Sequence, residues 1–280
     1  MEIGFAVLVT DTSAQPVELA LAVEERGLDA VLLGEHTHIP ASRRTPFIMG
    51  DPLPEEYRRT WDPIVALAAM ATVTERVQLG TCIALMAQRD PILTAKSLAS
   101  IDHLSDGRLE FGVGYGWNVE EAEHHGVDWS TRRARLRESV LAMRSIWVDE
   151  AAEFHGDHVD FDPLWSWPKP ARGALPVLLG CGPGPRNFAE IVQHFDGWYP
   201  VPFSGHGPAH VQQLRRAAED AGRDPATLSI QVDGVLADPA AVDPWFELGV
   251  DRVLVPLPSE PLAALEPILD AAATLSERYR

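Results

Sequence analysis

Arg108-Leu109-Glu110-Phe111-Gly112-Val113-Gly114-Tyr115-Gly116-Trp117-Asn118 is the stretch on which the fold turns. Leu109, Phe111 and Val113 alternate with Glu110 and Gly112, and Ser105-Asp106-Gly107 supplies a turn ahead of them, so the stretch begins as a strand. It runs into Gly114-Tyr115-Gly116, where glycine lets the backbone bend sharply and lets another group approach closely. A strand ending in glycines and an aromatic fits one wall of a ligand site. A tight strand-to-helix turn would use the same residues.

The pattern recurs in both directions from there. Apolar runs at residues 3–9, 30–34, 77–86, 176–180, 197–201, 228–235 and 252–257 read as strands. Segments at about 16–26, 63–74, 91–104, 131–148, 186–194, 208–221, 242–248 and 261–275 read as helices. Eight near-continuous apolar strands alternating with eight helices predict parallel strands covered on both faces. The expected fold is α/β, a single (β/α)8 TIM barrel domain over 1–280. A doubly wound open sheet competes, but it would usually show GxGxxG after its first strand, and this first strand ends in Thr10-Asp11-Thr12. Two loop insertions break the rhythm. Residues 37–60 form a long polar, proline-bearing loop of the kind that acts as a lid or binding loop. Residues 153–173 are rich in proline, aspartate and large rings and read as a segment lying across the barrel.

Composition narrows the function. The chain has 280 residues, 46% of them hydrophobic, and a formal net charge of -18. That charge argues against nucleic acid and against anionic membrane surfaces. No apolar run reaches the ~20 residues that span a bilayer. The N-terminus has no basic region before its apolar residues, which argues against a signal peptide. Cys82 and Cys181 form no CxxC pair, and reduced cysteines in a cytoplasmic protein are the expectation. A small-molecule substrate is the expected partner, with a homodimer compatible with apolar helix faces.

In a barrel the site lies at the C-terminal ends of the strands. Those ends carry Glu35 and His36, Thr81 to Leu85, Gly114 to Asn118, Gly180 to Asn187, and Trp198 to Pro202. Gly180-Cys181-Gly182-Pro183-Gly184-Pro185-Arg186 exposes successive backbone N–H groups before a helix, with an arginine in the first turn. Together these make an anion nest suited to a phosphate; a plain βα turn with a surface arginine is the alternative. His36 titrates near neutrality and reads as a ligand-facing proton donor or acceptor, or as a satisfied structural histidine. Adjacent strand residues face opposite ways, so Glu35 and His36 cannot both point inward from a regular strand. The pairs His36/His38 and His124/His125 lack a further ligand at suitable spacing, so no metal is expected.

Gly34-Glu35-His36, Arg89-Asp90-Pro91, Leu104-Ser105-Asp106-Gly107-Arg108, Gly112-Val113-Gly114-Tyr115-Gly116-Trp117 and Asp196-Gly197-Trp198-Tyr199-Pro200 occur in an order that resembles the bacterial luciferase-like monooxygenase superfamily. The combination is most similar to its actinobacterial branch of oxidoreductases that use the deazaflavin coenzyme F420. The resemblance implies a cofactor ring backed by a bulge at Thr81-Cys82-Ile83, often with a non-prolyl cis peptide. It implies the cofactor phosphate on the loop after strand four, Gly114-Tyr115-Gly116, and on the Gly180–Asn187 nest, and His36, with Glu35 beside it, near the reactive edge. Tyr115, Trp117 and Trp198 become walls near the substrate. The implied activity is hydride transfer between coenzyme F420 and a small organic substrate. An FMN-dependent monooxygenase using oxygen is the first alternative, and a non-catalytic flavin-binding barrel is the second. Sugar-phosphate dehydrogenases of the family carry a glutamate in the loop after strand four. Here that loop holds Trp117, followed by Glu120 and Glu121, so neither that substrate nor that acid carries over.

Overall fold

A computed structural model describes residues 1–201 and 205–280; Pro202 lies outside them. Eight parallel strands close into a barrel: β1 (Glu2–Val7), β2 (Ala30–Leu33), β3 (Gln78–Ala84), β4 (Leu109–Gly114), β7 (Val177–Cys181), β8 (Gly197–Pro200), β9 (Ser229–Asp233) and β10 (Arg252–Leu257). They pair in that order, and β10 returns to β1. The connecting helices are α1 (Pro16–Glu25), α2 (Pro63–Ala71), α3 (Pro91–Leu104), α5 (Arg132–Val148), α6 (Pro185–His194), α7 (Pro208–Asp220), α8 (Pro239–Phe246) and α9 (Leu262–Glu277). The fold is the expected (β/α)8 TIM barrel.

Local sequence sets the helix starts. Asp62 and Asp90 each precede a proline, and their carboxylates accept from Val65 N at 3.1 Å and Leu93 N at 2.7 Å. An aspartate cap satisfies a free N–H, and proline at the first helical position has no N–H to satisfy. The core is the apolar faces of these helices packed on the strands, with Phe5, Phe111 and Trp147 fully buried.

The barrel floor, at the N-terminal ends of the strands, is polar and closed. Glu110 accepts from Tyr199 Oη at 3.0 Å, Arg252 Nη1 at 2.5 Å and Gln231 Nε2 at 2.8 Å. Arg252 also donates to Gln231 Oε1 at 2.7 Å and pairs with Glu2. Burial works against the charge on Arg252, and Glu110 and Glu2 more than offset it.

One departure from expectation concerns an insertion. Residues 153–173 do not lie across the barrel. Residues 152–164 contain an antiparallel hairpin, β5 (Ala152–His155) and β6 (Asp160–Leu164), that packs on the outside of the helix layer. Glu138 of α5 accepts from His158 N at 2.7 Å and Val159 N at 3.1 Å, and Asp102 of α3 accepts from Ala171 N at 2.7 Å. Phe161 packs on the apolar core and Trp165 and Trp167 are exposed, and none of these rings lines the mouth. A further short helix, α4 (Val119–His124), follows β4; Asn118 caps it and it carries Glu120 and Glu121 into the interior.

The second insertion, 37–60, is tied to that short helix. Buried Glu120 accepts from Arg44 N at 2.6 Å, Thr45 N at 3.0 Å and Ser42 Oγ at 3.1 Å, and from the Thr45 hydroxyl. Burial opposes its charge, but these donors hold its carboxyl well below the usual range. The loop therefore has a fixed base. Ile48 and Met49, exposed, line the opening below them.

Candidate active site

A cavity of about 620 Å³ opens at the C-terminal ends of the strands, within the range of small-molecule sites. Its walls come from β1 (Ala6, Val7, Leu8), the end of β2 (Gly34, Glu35, His36), the β3 bulge (Cys82, Ile83), Leu85, Tyr115 to Trp117, Gly180 to Gly182, Asn187, Asp233 and Pro256 to Ser259. Tyr57, Ile48 and Met49 of the 37–60 loop close one side.

The β3 wall has the expected form. Its register with β4 shifts between Thr81 and Ala84, and the Cys82–Ile83 peptide bond is cis. Thr81 itself is fully buried and donates to Gly112 O at 2.7 Å, so it braces the bulge from outside the cavity. Ile83 explains two glycines differently from the sequence reading. A Cβ on Gly114 would meet Ile83 Cδ1 at 2.3 Å, and one on Gly180 would meet Ile83 Cγ2 at 2.4 Å. These glycines make room for the bulge, and Gly114 is not among the lining residues. Gly116, at φ +72°, does line the cavity, in a backbone conformation side chains rarely adopt.

His36 sits at the rim with both ring nitrogens engaged. The indole Nε1 of Trp117 donates to His36 Nε2 at 3.1 Å. The remaining ring proton is therefore on Nδ1, which donates to Glu121 Oε2 at 2.7 Å. Burial opposes charge on Glu121, and the hydrogen bonds from His36 and Thr37 N hold its carboxyl below the usual range. Phe47 and Tyr57 pack around Trp117 at 5.5 and 6.4 Å between ring centroids. Glu35, grouped with His36 as catalytic from the sequence, is occupied otherwise. It accepts from Leu85 N at 2.7 Å and pairs with Arg89 at 2.5 Å. Its geometry fixes the end of β3 to α3, and no oxygen is left over for proton transfer.

Trp198 is not a cavity wall. It is buried between β8 and α6, donates to Cys181 O at 2.9 Å and stacks edge-on to Phe188 at 5.3 Å. In β8 its neighbour Tyr199 takes the inward position, and alternation sends Trp198 outward.

The glycine loop after β7 keeps its anion-nest geometry only in part. Gly180, Cys181, Gly182 and Asn187 line the cavity, whereas Pro183, Gly184 and Arg186 do not. Arg186 is exposed in the first turn of α6. The sequence reading passed over Arg132 and Arg133. Arg133 lies 3.9 Å over the ring of Tyr115 and donates to Asn187 Oδ1 at 2.7 Å, and Asn187 donates to Gly182 O at 2.8 Å. Arg132 feels the charges of Arg133 and Arg186. Three guanidiniums thus gather beside the N-terminal ends of α5 and α6, on a chain of net charge -18. The Arg-Arg pair opening a helix, at the dipole end that disfavours cations, was the available signal.

Asp233 was also missed. It ends β9 and lines the cavity, and its Oδ1 is shielded with no hydrogen-bond partner. Burial pushes its carboxyl up to about 7, with only the Gly234 N–H pulling the other way. The free thiols Cys82 and Cys181 are pushed up by burial as well.

The family model for luciferase-like monooxygenases matches residues 4–242. The chain belongs to this family. It is 40% identical over 263 residues to an uncharacterised protein of Mycobacterium tuberculosis, covering 92% of each. It is 28% identical over 216 residues to the phthiodiolone/phenolphthiodiolone dimycocerosates ketoreductase of Mycobacterium kansasii, covering 72% of this chain but 57% of that one. Among solved structures, an F420-dependent secondary alcohol dehydrogenase with an F420–acetone adduct has a TM-score of 0.76 at 18% identity, covering all of both chains. The FMN-bound oxygenating constituent of 3,6-diketocamphane monooxygenase, from Pseudomonas putida, has a TM-score of 0.63 at 18% identity, covering 82% of this chain and 66% of that one. The fold therefore occurs with deazaflavin and with flavin.

Proposed function

We propose that this luciferase-like protein is a coenzyme F420-dependent oxidoreductase that interconverts a neutral carbonyl compound and its alcohol. The observation that carries the proposal is the pairing of an apolar cavity, walled by the Cys82–Ile83 bulge, with an arginine cluster behind its lining residues Tyr115 and Asn187. A flat ring with a phosphate-bearing tail needs both. The ring requires an apolar slot, and the phosphate requires fixed cations and helix N-termini. Arg133 lies over Tyr115 and donates to Asn187, both of which line the cavity, so its charge stands directly behind that wall. The carbonyl–alcohol pair is suggested by the likeness to a ketoreductase and to a secondary alcohol dehydrogenase.

When bound, the deazaflavin supplies the hydride chemistry. The chain's own residues bind and shield. Arg133, Asn187 and the Gly180–Gly182 backbone hold the tail end. Trp117, Phe47 and Tyr57 keep water from the rim beside His36. Fluorescence titration of the purified protein with coenzyme F420 and, separately, with FMN tests the reading. Micromolar binding of coenzyme F420 with much weaker FMN binding is expected. The reverse preference would replace the proposal with oxygen-dependent flavin chemistry, and binding of neither would refute both.

A further inference from the structure

A carbonyl that becomes an alcohol must receive a proton at oxygen, and the obvious donor is ill placed to give it. His36 keeps its ring proton on Nδ1, directed at Glu121, and Nε2 already accepts from Trp117. In this arrangement no His36 proton faces the cavity. Glu35 is held by Arg89 and Leu85 N. Tyr115 has a buried, unpartnered hydroxyl, but it lies under Arg133 at the phosphate end.

Asp233 differs from all of these. It lines the cavity three strands round the barrel from the end of β2, and its Oδ1 is shielded and unpartnered. Natural proteins seldom leave a buried carboxyl oxygen unmatched, because desolvation without a partner is costly. The barrel holds a buried arginine that could have paired with it, but Arg252 is engaged with Glu110 and Glu2 on the floor. The titratable groups that interact with Asp233 are Tyr57 from the loop over the mouth and Cys82 from β3, and neither is a cation at neutral pH. Glu56 also lines the cavity and adds negative charge. Across β10 the registered neighbour is Leu254.

We propose that Asp233 is the acid–base group of the cavity, meeting the oxygen of a neutral carbonyl or alcohol substrate and exchanging one proton with it. The inference rests on the oxidoreductase reading above. In reduction, the reduced deazaflavin supplies hydrogen with two electrons to the carbonyl carbon. The C=O π pair moves to oxygen, the Asp233 O–H bond breaks, and the new O–H bond forms on the substrate. The carboxylate then recovers a proton from water at the cavity mouth. Oxidation of the alcohol runs the same step backwards, with the carboxylate as base. An unpaired acid at this place also disfavours substrates that present a carboxylate or phosphate there.

The test uses the purified protein, reduced coenzyme F420 and a series of linear and cyclic ketones, following cofactor reoxidation across neutral pH. Asp233→Asn is expected to lower turnover roughly 10²-fold or more while the cofactor Kd stays within a few-fold. In the wild type, kcat/KM for reduction should fall as pH rises through about 7, where the Asp233 carboxyl, raised by burial, loses its proton. That limb should vanish in Asp233→Asn and move, with part of the turnover kept, in Asp233→Glu. Wild-type turnover in Asp233→Asn would overturn the inference, as would disappearance of the limb in His36→Asn instead. If the cofactor binds but no ketone is reduced, the carbonyl reading falls with it. If no cofactor binds, the functional reading itself has failed.

Discussion

The two ends of the barrel interior treat a shielded carboxylate oxygen in opposite ways. On the floor, Glu110 has three donors, one of them the Arg252 guanidinium, and every neighbour in the network has a partner. Beneath the mouth, Asp233 keeps an oxygen with none. Both sit at inward positions of the same cylinder, so position alone does not explain the contrast. A satisfied network closes and stiffens the floor, whereas an unsatisfied group marks a place where the fold gives up stability for a ligand.

The largest effect should come from breaking the floor. Arg252→Met leaves Glu110 buried without its counter-ion and should cost about 3–5 kcal/mol in chemical denaturation. A loss near zero would erase the contrast between the ends.

Next comes the opposite sign at the mouth. The Asp233 carboxyl is raised from 3.8 to about 7 in the folded chain. Between those values the folded chain keeps a proton that the unfolded chain has lost, so stability falls as pH rises from about 4 to about 7 and stays reduced above it. Asp233→Asn should remove that slope and stabilise the apo protein above pH 7 by on the order of a few kcal/mol at most. A lower melting temperature for Asp233→Asn above neutrality would show the group to be structural.

The rim sharpens the comparison further. Arg133→Ala should raise the Kd of the phosphate-bearing cofactor about tenfold or more, since a hydrogen bond to a charged group is worth roughly 1.5–3 kcal/mol. Exposed Arg186→Ala should do much less. Equal effects would mean that the nest of the α6 turn, not the α5 arginines, holds the anion. The smallest change is expected for Trp198→Phe. It should lose about 1 kcal/mol with its hydrogen bond to Cys181 O and leave cofactor and substrate constants alone. A shifted KM would return Trp198 to the substrate wall.

What the sequence made legible follows from the range of the forces involved. Strands and helices are written in local periodicity and caps, such as Asp62-Pro63 and Asp90-Pro91, so the barrel could be read before any contact was known. The hairpin at 152–164 was not legible because Phe154 and Phe161 sit among prolines and aspartates without clean alternation. The site divides in the same way. His36, Tyr115, Trp117 and the β3 bulge stand at strand ends and announce themselves. Glu121 and Arg133 act through partners distant in sequence, 85 and 54 residues away for His36 and Asn187. Asp233 was the hardest to see, because residues 228–235 read as one continuous strand, whereas the strand ends at Asp233. The missing partner that makes its carboxyl unusual is a property of the folded interior. Trp198 misled for the converse reason, since a large ring at a strand end faces the mouth or the helix layer depending on one step of alternation.

Ile83, lodged where Gly114 and Gly180 lack a Cβ, makes three distant positions a single unit of inheritance. A methyl group added at either glycine would push the wall inward and shrink the slot, unless Ile83 shortened in the same lineage. Divergence in ring size or tilt among descendants of this barrel should therefore be recorded as paired replacements at 83, 114 and 180. A designer wishing to admit a bulkier ring would begin by trimming residue 83, since neither glycine has anything left to remove.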